Sequence, residues 1–287
     1  MNRKAFSLIE LSIVILIIGI LIAGVVQVNN LFLKATLKSA QSLTQSSPVQ
    51  GITNLMVWYE ATQDKSFGGS QPEDRTAIAK WYDIGLQKSP IDAIQSGSSQ
   101  PLFIKECINN LPCLRFDGVN DFLISNININ YTVMPEMTVF GVFRTYSSSN
   151  QAVFGHDNPE WDRFLFAAWS NQNGPGFSQG YSQPAPFPGI STILVPKFFS
   201  GVLRNGVSNG SKAYLNGAYS AASTFTESHN NLGDTSFAIG AISAISIPGQ
   251  YPLNGDISEF ILYNRALKNE ERMAVEKYLS QKWGIKE

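Results

Sequence analysis

The chain has 287 residues, 44% of them hydrophobic and 15% charged, with a formal net charge of -1 at pH 7. That composition provides for one sizeable folded domain joined to something greasier. The charges are scattered, with no basic block and no basic stripe interleaved with aromatics to neutralise phosphates, so nucleic acid is excluded as an expected partner.

From Phe6 to Val26 the chain is apolar apart from Ser7, Ser12 and a single charge, Glu10. This is about the length a helix needs to cross a hydrocarbon core. Asn2, Arg3 and Lys4 precede it, and positive residues there hold the N-terminus on the cytoplasmic side while the rest is exported. A secretory signal peptide begins in the same way. Glu10 argues against that alternative, because an acid within a bilayer helix costs about 2.5–3.5 kcal/mol at the helix centre and normally has a partner. The apolar run also exceeds the usual signal-peptide core, and no small-x-small cleavage site clearly follows it.

Arg3-Lys4-Ala5 followed by Phe6-Ser7-Leu8-Ile9-Glu10-Leu11 closely resembles the cleavage and methylation motif of type IV pilins and pseudopilins. The resemblance implies that prepilin peptidase removes a leader, residues 1–5, by cutting between Ala5 and Phe6, and that Phe6 is then N-methylated. It implies that Glu10 pairs with the new α-amino group of a neighbouring subunit, protonated near neutral pH given a reference pKa of about 7.7–8.0. The implied partners are other pilin or pseudopilin subunits. The implied location is the inner membrane, crossed once with the N-terminus cytoplasmic, followed by an extracellular or periplasmic filament. Ala5 stands where the family usually has Gly, which predicts slower processing. No proline occurs before Pro48, whereas pilin helices often carry one after their apolar half.

Beyond Val26, Val28, Leu31, Phe32, Ala35 and Leu37 keep near-helical spacing with Lys34 and Lys38 turned elsewhere, so the helix is expected to run over 6–47. The Ser, Gln, Thr and Pro that follow predict a helix end and a linker at 48–54. The remainder, 55–287, has short apolar runs separated by turn clusters, the pattern of a β-sandwich or barrel. Expected strands are 55–59, 114–116, 137–144, 198–203, 212–215, 236–239 and 256–263. Asn216-Gly217 marks a hairpin turn.

Val57-Trp58-Tyr59-Glu60-Ala61, Trp81-Tyr82-Asp83, Leu114-Arg115-Phe116-Asp117-Gly118, Tyr214-Leu215-Asn216-Gly217 and the stretch from Gly255 to Arg265 together resemble the laminin-G-like branch of the concanavalin-like lectin and glucanase superfamily. So does the closing stretch from Ala266 to Ile285. The resemblance implies a mainly β fold: a long N-terminal α-helix, then a concanavalin-like jelly-roll β-sandwich with a short C-terminal helix. That helix places Val275, Tyr278, Leu279 and Trp283 on one face, with Lys277, Gln281 and Lys282 expected to point away and Gly284 to end it.

Several side chains are weighed for chemistry. Cys107 and Cys113, six positions apart, fit a disulfide across a hairpin in an oxidising compartment or two small buried residues, and cannot by themselves complete a zinc site. Asp117, Asn120 and Asp121 offer oxygens of the kind calcium takes, or a turn closed by Asp and Asn side chains. Calcium apart, no cofactor is indicated. Trp161, Trp169 and Tyr181, with Phe177 and Phe187, lie in a loop-rich region and either stack on a carbohydrate or protein ligand or pack in the core.

Catalytic carboxylates are weighed because the superfamily includes glucanases. Glu160-Trp161-Asp162 has two alternating acids and lacks a third, and Asp256 and Glu259 have opposite strand parity. Glu259 shares parity with Ile257, Ile261 and Tyr263, which predicts a partly buried, paired acid. His156 and His229 lack neighbouring catalytic residue types and are expected at the surface. The leading expectation is therefore a non-enzymatic filament subunit, a minor pilin displaying a lectin-like adhesion domain. Alternatives are a type II secretion pseudopilin and a membrane-anchored glycan-active enzyme.

Overall fold

The computed structural model describes residues 8–157, 163–168, 175–179, 182–186, 191–223, 237–244 and 249–286. Helix α1, Leu8–Gln45, is 38 residues long, about 57 Å at 1.5 Å per residue. It carries no proline and ends where Ser46 and Ser47 donate back to Ser42 and Thr44, just before Pro48 bars another helical turn. The expected linker is a packed corner instead. Residues Val49–Gly51 form a single 3-10 turn, Val49 is buried, and its carbonyl accepts the Tyr263 hydroxyl at 2.8 Å.

Two sheets follow. The first has eight described strands in the order Ala218–Ser223, Ser211–Leu215, Lys197–Arg204, Glu136–Thr145, Asn254–Tyr263, Leu111–Asp117 and Leu102–Ile108, with Leu55–Glu60 also paired to Asn254–Tyr263. That last long strand is shared: its start pairs with Leu111–Asp117 and its end with Leu55–Glu60. The second sheet has nine described strands, built outward from Gln151–Asp157 and Arg163–Ala168 on one side and Phe237–Ile239 and Leu123–Ser125 on the other. The strands pair antiparallel except where Ser243–Ala244 runs parallel to Gln151–Asp157, and an isolated bridge between Thr145 and Ile193 is also parallel. The expected Asn216-Gly217 turn is present, with both residues at positive φ, 49° and 77°, a conformation that Asn and Gly tolerate best.

The pleat sorts alternate side chains to two faces. Val57, Tyr59, Leu114, Phe116, Val139, Phe143, Ile257, Phe260 and Leu262 point between the sheets and join Phe154, Leu165, Phe177 and Phe237 in the main core. Trp58, Phe140, Val142, Ile261 and Tyr263 point outward and would be wet, but the tail of α1 and a second helix cover them. That second helix, α2, spans Asn269–Trp283. Its start is held by Glu271, which accepts the Lys268 backbone N–H at 2.9 Å and pairs with Arg265. It ends on Gly284 at φ 61°, where a Cβ would be strained.

A bulge in Asn254–Tyr263 decides what the outer face carries. The register against Glu136–Thr145 slips between Ile257 and Glu259. One extra residue reverses parity, so Asp256 and Glu259 lie on the same outer face, contrary to simple alternation. Ile257, expected beside Glu259, belongs to the inner core.

Candidate functional site

The first half of α1 has no neighbours to bury it. Leu8, Ile9, Leu11 and every Ile, Leu and Val from Ile13 to Val25 for which exposure is described are exposed, as are Val28, Leu31 and Phe32. An 18-residue window of α1 has a mean hydropathy of 2.9 and is 0% buried. A solvated helix would not keep such a surface, since each fully exposed Leu or Ile forgoes about 1.5–3 kcal/mol of burial. Glu10 lies on this segment and is exposed. Ser12 returns its hydroxyl to the Leu8 and Ile9 carbonyls, so it adds no polarity to the helix surface. Ala5 and Phe6 lie outside the described residues.

The second half of α1 is fastened to the sandwich. Gln41 Nε2 donates to the Thr62 carbonyl at 2.8 Å, and Gln63 Nε2 returns a bond to the Gln41 carbonyl at 3.0 Å. Thr44 Oγ1 lies 3.3 Å from the Tyr278 hydroxyl. Beneath that contact is a sealed polar cluster. Lys282 Nζ, with no exposure, donates to Glu60 Oε2 at 2.9 Å, to Glu259 Oε2 at 3.0 Å and to Tyr278 at 3.1 Å. Glu259 also accepts Trp58 Nε1 and Trp283 Nε1, each at 2.7 Å, and the Tyr278 hydroxyl at 2.8 Å. Glu60 accepts the backbone N–H and hydroxyl of Thr62.

Two carboxylates share one ammonium here, with all three side chains closed to solvent. Burial pushes the Glu259 carboxyl above its usual range, and Glu60 adds to the push, while Lys282 opposes it. Lys282 was expected to point away from the sandwich, and the structure buries it. Its ammonium lies over the rings of Trp283 and Tyr278, 4.8 and 5.5 Å from their centroids, and the two acids make burial tolerable. The cluster joins the first sheet, α2 and, through Thr44, α1, so the apolar half of α1 projects from a rigid head.

A second cluster lies on the same sheet face. Asp256, fully buried, accepts Arg115 Nε at 2.8 Å, Arg144 Nε at 3.0 Å and the Tyr146 hydroxyl at 2.6 Å. Cys107 and Cys113 beside it form a disulfide. Their sulfurs come within 4.8 Å of an Asp256 oxygen, but both are consumed by their mutual bond and leave no thiolate for a metal.

Around Asp117 the oxygens face N–H groups. Asp117 Oδ1 accepts the backbone N–H of Val119, Asn120 and Asp121 at 2.8, 3.1 and 3.3 Å, and Asp121 Oδ2 accepts that of Asp117 at 3.1 Å. Asn120 donates to the Ser98 carbonyl and the Ser99 hydroxyl. Burial, then the charge of Asp117, pushes the Asp121 carboxyl up to about 6. A carboxylate oxygen already met by three donors is turned away from a cation, which favours the turn reading.

Phe177 is core, stacked on Phe199 with ring centroids 5.7 Å apart. His156, expected at the surface, is 1% exposed because it sits on an interior strand, paired with Arg163 on one side and Ser243 on the other. Trp161, Trp169, Tyr181, Phe187, Glu160, Asp162 and His229 lie outside the described residues. An open cleft of about 480 Å³ has Met56, Ile91, Ile127, Val133 and Met134 among its lining residues, with Glu136 as one charged group.

A bare apolar helix fixed at its far end to a β-sandwich has the form of an N-terminal membrane anchor carrying a globular head. Comparison of sequences agrees. Residues 1–26 match the prokaryotic N-terminal methylation motif, which supports a type IV pilin-like or pseudopilin protein, and the apolar helix is consistent with the N-terminal membrane anchor of a pilin. The motif implies processing by prepilin peptidase and assembly with other pilin subunits.

No curated protein sequence matches the chain. Among solved structures, Trypanosoma rangeli sialidase in complex with sialic acid aligns with a TM-score of 0.57 at 14% identity, covering 87% of this chain and 38% of that one. Trypanosoma rangeli sialidase in a second structure aligns at 0.55 and 13%, with the same coverages. A mutant of that sialidase displaying trans-sialidase activity aligns at 0.53 and 13%, covering 88% and 38%. The chain thus spans under two fifths of the sialidases it matches, and the likeness is one of fold.

Proposed function

We propose that this protein is a minor pilin, carrying its β-sandwich on a type IV pilus as an adhesion or recognition domain. Glu10 meets the methylated N-terminus of Phe6 on a neighbouring subunit, and the exposed apolar surface of α1 is buried by lateral packing of subunits. The observation that carries this reading is the contrast within one helix: the described side chains over 8–32 are bare, while Gln41 and Thr44 are locked to the head. The head's size favours a minor position, because a sandwich of this bulk would crowd a uniform filament. A structural role also fits the acids: Glu60, Glu259 and Asp256 are each fully enclosed and committed to cations, closed to a sugar ring.

The test is incorporation. Glu10→Ala should reduce the amount of protein in sheared filaments while leaving it in the membrane fraction, and normal incorporation would contradict the proposal. Imaging decides between a surface pilus and the short pseudopilus of a type II secretion machine, the second reading, which the same N-terminal motif favours equally.

A further inference from the structure

Two arginines on the outer face of the first sheet carry more positive charge than their surroundings neutralise. Arg115 and Arg144 lie on the strands flanking Asn254–Tyr263, in register with Asp256 between them. Asp256 has no exposure, whereas the Arg115 side chain keeps 33% and that of Arg144 keeps 17%. Two guanidiniums against one carboxylate leave one positive charge at the rim. Asp74, the next acid acting on Arg115, is half-exposed and turned to the Lys105 N–H.

The donor count agrees. A guanidinium has five N–H groups. Arg115 uses Nε and Nη2, on Asp256 and Tyr146. Arg144 uses Nε and Nη2, on Asp256, Tyr146 and the Cys107 sulfur. Neither Nη1 has a partner among the described residues, and neither is sealed from water. Asp256 below and the Tyr146 ring, 5.1 and 5.4 Å from the two guanidinium carbons, hold both forks in place, so little side-chain freedom remains to be lost on binding.

We propose that Arg115 and Arg144 form a binding site for a ligand carboxylate, with Asp256 and Tyr146 as positioning residues. A planar monoanion offers one oxygen to each of the two free Nη1 groups and matches the single unit of excess charge, whereas a dianionic phosphate overcompensates it. The site rests on the recognition role proposed for the sandwich, and the carboxylate is supplied either by an acidic sugar or by a protein C-terminus.

The experiment titrates the full-length protein, in uncharged non-glycosidic detergent micelles at pH 7, with glucuronate, with N-acetyl-diglycine and with inorganic phosphate. Calorimetry is read together with the arginine side-chain nitrogen resonances. One carboxylate per chain should bind saturably, shifting the Arg115 and Arg144 signals. Arg115→Gln should weaken it at least tenfold while Arg144 still pairs Asp256 and the melting temperature stays close to wild type. Arg115→Lys, which keeps the charge and loses the fork, should weaken it to an intermediate degree. Glucuronate binding alone assigns the source to a sugar and diglycine binding alone to a protein terminus, and each upholds the site. No saturable carboxylate binding, binding of phosphate alone, or an unchanged affinity in Arg115→Gln overturns it. Cell adhesion unaffected by Arg115→Gln, with carboxylate binding lost, sets aside the recognition role and leaves the site standing.

Discussion

Replacing Lys282 by Met removes the one cation from a sealed cluster and leaves Glu60 and Glu259 facing each other. Lys282 Nζ has no exposure and lies 2.9 and 3.0 Å from their oxygens. Removing one member of a buried ion pair costs about 3–5 kcal/mol. In a domain of this size each kcal/mol moves the midpoint by about 2–4 °C, so the expected fall is about 6–20 °C. The pH dependence has a definite sign. Burial already holds the folded-state Glu259 carboxyl above its unfolded value, and Lys282 restrains that rise. A raised carboxyl contributes stability below its unfolded pKa and loses it as pH rises through the folded one. Without Lys282 the rise is larger, so the variant's deficit should be widest near pH 8 and narrow toward pH 4. Thermal melts followed by tryptophan fluorescence suit the measurement, since Trp58 and Trp283 both bond Glu259. A deficit under about 1 kcal/mol at pH 7, or one that does not change with pH, would refute a cluster of two buried acids sharing one lysine, because unpaired buried carboxylates cannot be that inexpensive.

Tyr278→Phe removes the hydroxyl between Thr44, Glu259 and Lys282 and should cost about 1–3 kcal/mol, with faster amide exchange over 41–45 as α1 loosens from the head. Reducing Cys107–Cys113, which closes a loop of sequence separation 6, should cost about 2 kcal/mol by loop-closure entropy, read as a lower melting temperature in reductant. Calcium in place of chelator should leave the melt unchanged within about 1 °C, since the Asp117 oxygen faces three backbone donors and gains little from a cation; a rise of several degrees would reinstate the metal. Asp121, raised to about 6, loses its stabilising contribution as pH climbs from about 4 through 6, so Asp121→Asn should be more stable than wild type at pH 8 and indistinguishable from it at pH 3.

What the sequence disclosed followed local rules. The apolar run, the Asn216-Gly217 turn and the alternation in 137–144 each express a period or a turn residue. Those segments appear as α1, a hairpin and the strand Glu136–Thr145. The α2 face of Val275, Tyr278, Leu279 and Trp283 was readable for the same reason, and all four are buried. What was hidden depended on a single added residue or on distant partners. The bulge at 257–259 reverses the parity that seemed to separate Asp256 from Glu259. Lys282 reads as a solvated lysine until Glu60, 222 positions away, is placed beside it. Arg115 and Arg144 give no local sign of convergence. The one available hint was Glu60 itself, an acid directly after the buried Trp58-Tyr59 pair, where a strand rarely leaves a charge without a partner.

The central claim, that residues 6 onward form the assembly element of a pilin-like subunit, is tested most directly by the intact mass of the protein recovered from sheared filaments or membranes. The expected product is a chain beginning at Phe6 with one added methyl group on its N-terminus and the Cys107–Cys113 bond intact. A chain still beginning at Met1, or one cut beyond the apolar run as a secretory signal peptide would be, would contradict it.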